Sequence, residues 1–312
     1  MRAGTGGWRT GAAIATGSTS VTQGQVNQAI RETFLAGVST RRVGEVLRGL
    51  LGEGVSAQTV SRVTRSLDRE VERFRAAPIA DDILYLLLDG VYLRVKSATG
   101  VQRKLVLCAY GISVMGERRL LDFRLATAEG AAQWEAFLSQ LRERGLCGTK
   151  LKLIVTDGCK GLHAALEAVY PYVQRQHCWV HKLRNVAALL KRRQQEECLL
   201  GARAIYQSQT RSAATAAYWQ WAKRWRQEAP KAVACLERDL ETLLSFLACP
   251  PEHQRMARTT NAIERCFREV RRRTRPMSCF NNNASCERII YAVFSHLNRN
   301  WEGRPLTLFT HK

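Results

Sequence analysis

The sequence has no C-x-x-C spacing, no apolar run approaching the length of a membrane span, and few acids for its bases. Its ten cysteines are scattered, and several, such as Cys108, Cys235 and Cys266, sit inside apolar patterns. That usage predicts reduced, mostly buried thiols in a cytosol rather than a disulfide scaffold or a paired-cysteine zinc module. Residues 1–20 carry early arginines but no continuous apolar core, which argues against a secretory signal peptide. The shortage of acids, 27 against 48 lysines and arginines, leaves a formal charge of +21. A charge of that size calls for a polyanionic partner, and in so well patterned a chain nucleic acid fits better than a membrane surface. Ribosomal proteins are mostly shorter, and cationic secreted proteins carry a signal peptide. What is present is ample: 312 residues, 46% hydrophobic and 24% charged, enough for two or three globular domains with a sizeable core.

Residues 1–20, rich in Gly, Thr, Ser and Ala, read as a flexible lead. A short amphipathic helix is predicted over Val26–Val38, then a second capped by Ser39 or Thr40. After a turn at Gly52–Ser56, a third helix starts at Ser56 and runs to about Arg75, with Pro78 closing the unit. Two helices joined by a glycine-containing turn fit either a helix-turn-helix or a plain helical hairpin. In the first case Gln58, Thr59, Arg62 and Arg65 would face DNA. Beyond Pro78 the hydrophobic period shortens. Strands are predicted at Ile83–Asp89, Val91–Lys96, Arg103–Ile112 and Arg119–Leu125, then a helix over Glu129–Arg144. Lys152–Thr156 is a further strand, followed by a helix over Gly161–Tyr170 and a strand near Val173–His177. The segment from His181 to Gln254 reads as all-helical, with Trp219, Trp221, Trp225, Leu243, Leu244 and Phe246 as its core. A final helix spans Cys286–Trp301. The class is α/β, with boundaries at 1–20, 21–77, 78–180, 181–257 and 258–312.

The chemistry concentrates in acids placed beside bases. Ile263, Phe267 and Val270 recur at helical spacing after a cap at Thr260 or Asn261, with Pro276 as a stop. Glu264 borders that buried face, and Arg268 and Arg271 follow at i+4 and i+7, with Arg272, Arg273 and Arg275 adding charge. This is either a solvated helix with an ordinary Glu–Arg pair or an acid set beside a bound polyanion. Asp89-Gly90 and Asp157-Gly158 each close an apolar run. On neighbouring strand ends the two aspartates, with Glu264 from a helix, would give three carboxylates for hard divalent cations. Two ions about 3.5–4 Å apart can activate an attacking oxygen and stabilise a leaving one in displacement at phosphorus.

Leu88-Asp89-Gly90, Thr156-Asp157-Gly158, Cys178-Trp-Val-His181 with the following Lys-Leu-Arg-Asn, and Thr259-Thr-Asn-Ala-Ile-Glu264-Arg resemble, in order, the motifs of Mutator-type bacterial transposases. The similarity runs from about Val21 to the C-terminus. It implies a ribonuclease H-like mixed sheet with an all-helical insertion domain over 181–257 and an N-terminal helix-turn-helix. It implies Asp89, Asp157 and Glu264 as the catalytic, metal-binding triad, with Mg²⁺, or Mn²⁺ in its place. Arg268, Arg271 and Arg272 would neutralise phosphates. Cys178 and His181 form the family's C-x-x-H motif, a packing element or, with ligands such as His177 and Cys159, a metal site. The implied partners are double-stranded DNA, as transposon ends and target, and a second copy on that DNA. The implied setting is a bacterial cytoplasm at the nucleoid. Family members carry a longer helical N-terminal region where residues 1–20 stand. That difference leaves a second expectation open, a transposase-derived DNA-binding protein or inhibitor without strand transfer. A nuclease that cuts without joining is a third.

Overall fold

The change of period at Pro78 separates a helical start from a sheet. The computed structural model describes residues 14–16, 19–35, 38, 40–51, 54–126, 130–275 and 278–309. In chain order its elements are β1 (Ile14–Thr16), β2 (Thr19–Val21), α1 (Gln23–Leu35), α2 (Thr40–Leu51), α3 (Ala57–Ala76), β3 (Ile83–Ser97), β4 (Gly100–Ser113) and β5 (Arg118–Ala126). There follow α4 (Ala131–Glu143), β6 (Leu153–Thr156), α5 (Lys160–Val169), β7 (Gln174–His177), α6 (Trp179–Ala188), α7 (Arg192–Gln207) and α8 (Arg211–Trp225). The last are α9 (Pro230–Glu237), α10 (Leu240–Leu243), α11 (Pro251–Ala257), α12 (Asn261–Thr274) and α13 (Asn283–Trp301). Among the described residues no helix is long and apolar enough to cross a membrane. Ser39, Gly52 and Pro276, expected to punctuate helices, lie outside the described residues, as do residues 1–13 of the lead; β1 and β2 pair antiparallel.

Two compact units result. One comprises residues 1–75, 94–102 and 269–293. Its α3 buries Val60, Thr64, Leu67 and Val71 along one stripe, and Ser56 Oγ accepts from Thr59 N at 3.1 Å to cap it. A Cβ on Gly44 of α2 would overlap the Val55 carbonyl, so glycine is what lets the turn fold back onto that helix. The first half of α13 is locked to α3 by polar pairs. Arg288 grips Asp68 through two 2.6 Å bonds and Arg75 meets Glu287 at 2.7 Å. The Asn282 side chain accepts from Ser285 N at 2.8 Å, so α13 starts about one turn before Cys286, where the sequence pattern places it.

The other unit, residues 76–93, 103–268 and 294–312, holds the mixed sheet in the order β5-β4-β3-β6-β7. β6 pairs parallel with both β3 and β7, and β5 pairs antiparallel with β4. Ile83 to Ser97 is one strand, not two broken at Asp89-Gly90. β3 continues past the end of β6 because β4 remains beside it. Asp89 therefore sits within a strand rather than ending one. Gly90 makes no turn; a Cβ there would come within 2.9 Å of Leu105 Cδ1.

Leu86 and Leu88 join Trp134, Phe137, Leu162 and Leu166 in a core under α4 and α5. Strand alternation turns Asp89 to the opposite face. There Phe267 of α12 meets Phe294 of α13 at 5.7 Å, and Phe294 meets Phe123 of β5 at 5.3 Å. Ile263 and Phe267 are wholly buried, each burial stabilising the seat of the first half of α12 by about 1.5–3 kcal/mol.

Between His181 and Ala257 the described residues contain no strand. Trp221, Trp225, Leu243, Leu244 and Phe246 are buried there, but Trp219 is 56% exposed and is not core. α8 turns its stripe of Ala214, Tyr218, Trp221, Ala222 and Trp225 inward, and Trp219 is one position off it. The helices are tied to the sheet edge by buried polar bonds. Gln176 donates to the Leu243 carbonyl at 2.9 Å and accepts from Phe246 N at 2.7 Å, and Trp179 Nε1 donates to the same carbonyl at 2.7 Å.

Candidate active site

The parallel register aligns two of the acids. Leu87 pairs with Val155 as the last rung of the β3–β6 ladder, so Asp89 and Asp157 each lie two residues beyond that rung on adjacent strands. Asp157 leaves β6 at its end. Its Oδ1 accepts from Cys159 N at 2.9 Å, and Gly158 takes φ +83° to turn the chain into α5. A side chain at Gly158 would also press on the His177 ring.

The segment from β7 into α6 knits the separate motifs together. Cys178 N donates to Thr156 O at 2.7 Å, and Trp179 N donates to Arg258 O at 3.1 Å. Thr260 sends its backbone N–H, at 3.3 Å, and its hydroxyl, at 3.5 Å, to Cys178 Sγ. The start of α12 is thereby pinned to the start of α6. Cys178 acts as an acceptor here: burial pushes its thiol up, but the bonds with His181 and Thr260 together hold it below the usual value.

Asp89 is 3% exposed. Burial is the main cause that pushes its carboxyl up to about 6, and the nearby charges of Asp157 and Glu264 push the same way. The His181 imidazole and the Thr260 hydroxyl oppose them. His181 in turn rises to about 9, through Cys178 first and then, against burial, through Asp89 and Asp157. Its Nδ1 is buried with no hydrogen-bond partner. Asp89, Asp157, Glu264, His181, Cys178 and Thr260 therefore form one electrostatic group.

Glu264 stands half-buried at the edge of this group and accepts from Arg184 Nη1 at 2.8 Å. Among the described residues, no three His, Cys, Asp or Glu side chains are drawn into a ready cation cage. The exposed Arg184–Glu264 pair is worth no more than about 1 kcal/mol, so Glu264 is cheaply released. Arg184 was not expected from sequence. Its signal was the spacing, three residues past His181 and six past Cys178, which places all three on one helical face.

The other expected site residues lie elsewhere. Arg268 and Arg271 are exposed on α12 with no ion-pair partner among the described residues, whereas Arg272 pairs with Glu269 at 3.0 Å. On α3, Gln58, Arg62 and Arg65 share an exposed stripe. Thr59 is half-buried, its hydroxyl 3.0 Å from Ser56 Oγ.

Comparison with known proteins adds an independent result. The family profile described as "Transposase, Mutator family" matches residues 20–303. The transposase for insertion sequence element ISRM5 of Rhizobium meliloti is 34% identical over 272 residues, covering 87% of this chain and 68% of the relative. That of IS406 from Burkholderia multivorans is 37% identical over 279 residues, covering 88% and 71%. The transposase for IS256 in transposon Tn4001 of Staphylococcus aureus is 30% identical over 273 residues, covering 86% and 69%.

Proposed function

The chain belongs to the Mutator family of transposases, and on that premise we propose that it cuts and joins DNA at insertion-sequence ends through Asp89, Asp157 and Glu264. The observation that supports the reading is the parallel β3–β6 register, whose last pair, Leu87 with Val155, lies two residues before each aspartate, together with the influence of Asp157 and Glu264 on the Asp89 carboxyl. A mixed sheet with parallel β3, β6 and β7 beside a meander supports a ribonuclease H-like core. The α2–α3 pair, with Gly44 under its turn, supports a helix-turn-helix that offers Gln58, Arg62 and Arg65 to the major groove.

The donor set suits Mg²⁺, or Mn²⁺ in its place: three carboxylates, one of them buried beside two like charges that a cation would offset. Asp89, Asp157 and Glu264 would hold it. Bound there, such a metal supplies an activated nucleophilic oxygen and charge stabilisation at phosphorus. The chain's own groups do the rest. Thr260 and Cys178 fix the start of α12 and so the approach of Glu264. Arg184 holds Glu264 until substrate binds. Protonated His181 sets a positive charge beside Asp89, where a phosphodiester brings further negative charge. Arg268 and Arg271 carry the neighbouring phosphates.

The test incubates labelled insertion-sequence ends with the protein and Mg²⁺ and looks for nicked and joined strands. Nicking and joining support the reading. Binding of ends without cleavage under any divalent cation would point to a DNA-binding regulator instead.

A further inference from the structure

Next to the acids, on the same helix, lies a cleft that the cutting and joining chemistry does not use. It has a volume of about 520 Å³ and is enclosed by β4, β5, α11, the start of α12 and the chain beyond α13. Arg118, Arg255, Arg258 and Arg265 line it together with Tyr110 and Ile112, and none of its lining residues is acidic. The four guanidiniums are not equivalent. Arg258 is committed, donating to the Tyr206 carbonyl at 2.6 Å and lying over that ring. Arg118 lies 5.2 Å over the Trp301 ring and donates to the Arg304 carbonyl, while its Nε is buried without a partner. Arg255 and Arg265 are exposed and have no ion-pair partner among the described residues. Tyr110 is buried at the floor, just past a β-bulge that shifts the register of β4 against β5.

Guanidiniums around an apolar, aromatic floor suit one chemical unit: a flat heterocycle carrying a phosphate. The volume lies within the range of small-ligand sites, far too small for a base pair with its backbones. A base still stacked in a duplex cannot lay its face on such a floor. Asn261, Ala262 and Arg265 line the cleft, and Glu264 lies in the same first turns of α12. A strand with a phosphate at the acids would therefore reach the cleft within a short length of chain.

We propose that this cleft receives one unpaired nucleotide of the DNA strand beside the scissile phosphate. Arg255 and Arg265 grip its phosphate, and Tyr110 and Ile112 meet its base. The proposal deepens the transposase reading and rests on it. It gives the protein a way to hold a strand end single-stranded, which duplex contacts by Arg268 and Arg271 do not provide.

The test measures binding alone, so it is independent of cleavage. The full chain is titrated against a fluorescent ten-nucleotide oligothymidylate and, separately, a duplex of equal phosphate count, at fixed salt. Ala262→Phe fills the cleft without changing charge, and Arg265→Glu reverses one charge at its rim. Each is expected to weaken oligothymidylate binding about tenfold, while Ala262→Phe leaves duplex binding within about twofold. Circular dichroism reports whether each variant folds. If Ala262→Phe alone fails to fold, the exposed Arg265→Glu still decides, with a larger loss on the single strand than on the duplex. Equal losses on both probes, unchanged binding of the single strand, or a parent chain that does not bind it would each overturn the proposal. A parent that binds the single strand through the cleft yet never cuts would retain the cleft and remove the enzyme.

Discussion

Asp89 and Glu264 act on one another from opposite kinds of support. Asp89 is carried inside a strand, 3% exposed, with its carboxyl pushed up to about 6. Glu264 is carried on a helix, half-buried, and held by a single exposed guanidinium. The first is costly to ionise and cannot move. The second is inexpensive to release and can. In the proposed reading, a site that takes up cations and a DNA strand gains from that division, because only one part needs to adjust when they arrive.

Substitutions should separate the two. The largest effect on stability is expected at Asp89. Its folded value lies above its ordinary 3.8, so its contribution is fully present below about 4 and is lost as pH rises through about 6. Near neutral pH the ionised group then costs on the order of 3 kcal/mol. With chelator present, Asp89→Asn should be more stable than the parent by a few kcal/mol at about pH 7, with the gain vanishing toward about pH 4. Urea unfolding at the two pH values measures this. A gain that grows on acidification would contradict the burial argument.

Thr260→Val comes next. It removes the hydroxyl that bonds Cys178 and lowers the Asp89 carboxyl, and should cost about 1–2 kcal/mol. It should also move the pH midpoint of the Asp89 effect upward, which a purely packing role would not do. Gly158→Ala should cost about 1–2 kcal/mol, since φ +83° is unfavourable for a side chain. Thermal unfolding gives both figures. Glu264→Gln should change stability least, by less than about 1 kcal/mol, because only the exposed Arg184 pair is lost. A large loss there would mean that Glu264 is as rigidly built in as Asp89.

Much of this site was legible in the chain. The apolar run Leu153–Thr156 before Asp157, the stripe Ile263, Phe267 and Val270 beneath Glu264, and the short Cys178-to-His181 spacing each placed an acid or its support. The mistakes at Asp89 and Thr260 share a cause. Asp-Gly reads the same at 89 and 157, yet one glycine turns the chain and the other admits Leu105, and local sequence does not record which strand lies alongside. Thr260 read as a helix cap, but its partners are Cys178 and Asp89, long-range neighbours that spacing does not reveal. Arg184 shares a helical face with Cys178 and His181, which spacing shows, but its partner Glu264 is again a long-range neighbour that spacing does not reveal. Trp219 read as core because aromatic composition outweighed its place on the helical wheel.

The most direct measurement of the account is cleavage of labelled insertion-sequence ends in Mg²⁺ by the parent chain and by Asp89→Asn, Asp157→Asn and Glu264→Gln. DNA affinity is measured alongside. The parent is expected to nick and join, and each variant to lose cleavage by about a thousandfold or more while holding DNA within about twofold. Glu264→Gln should lose activity as completely as Asp89→Asn despite its small effect on stability. Cleavage at the parent's rate by any one of the three would contradict that expectation.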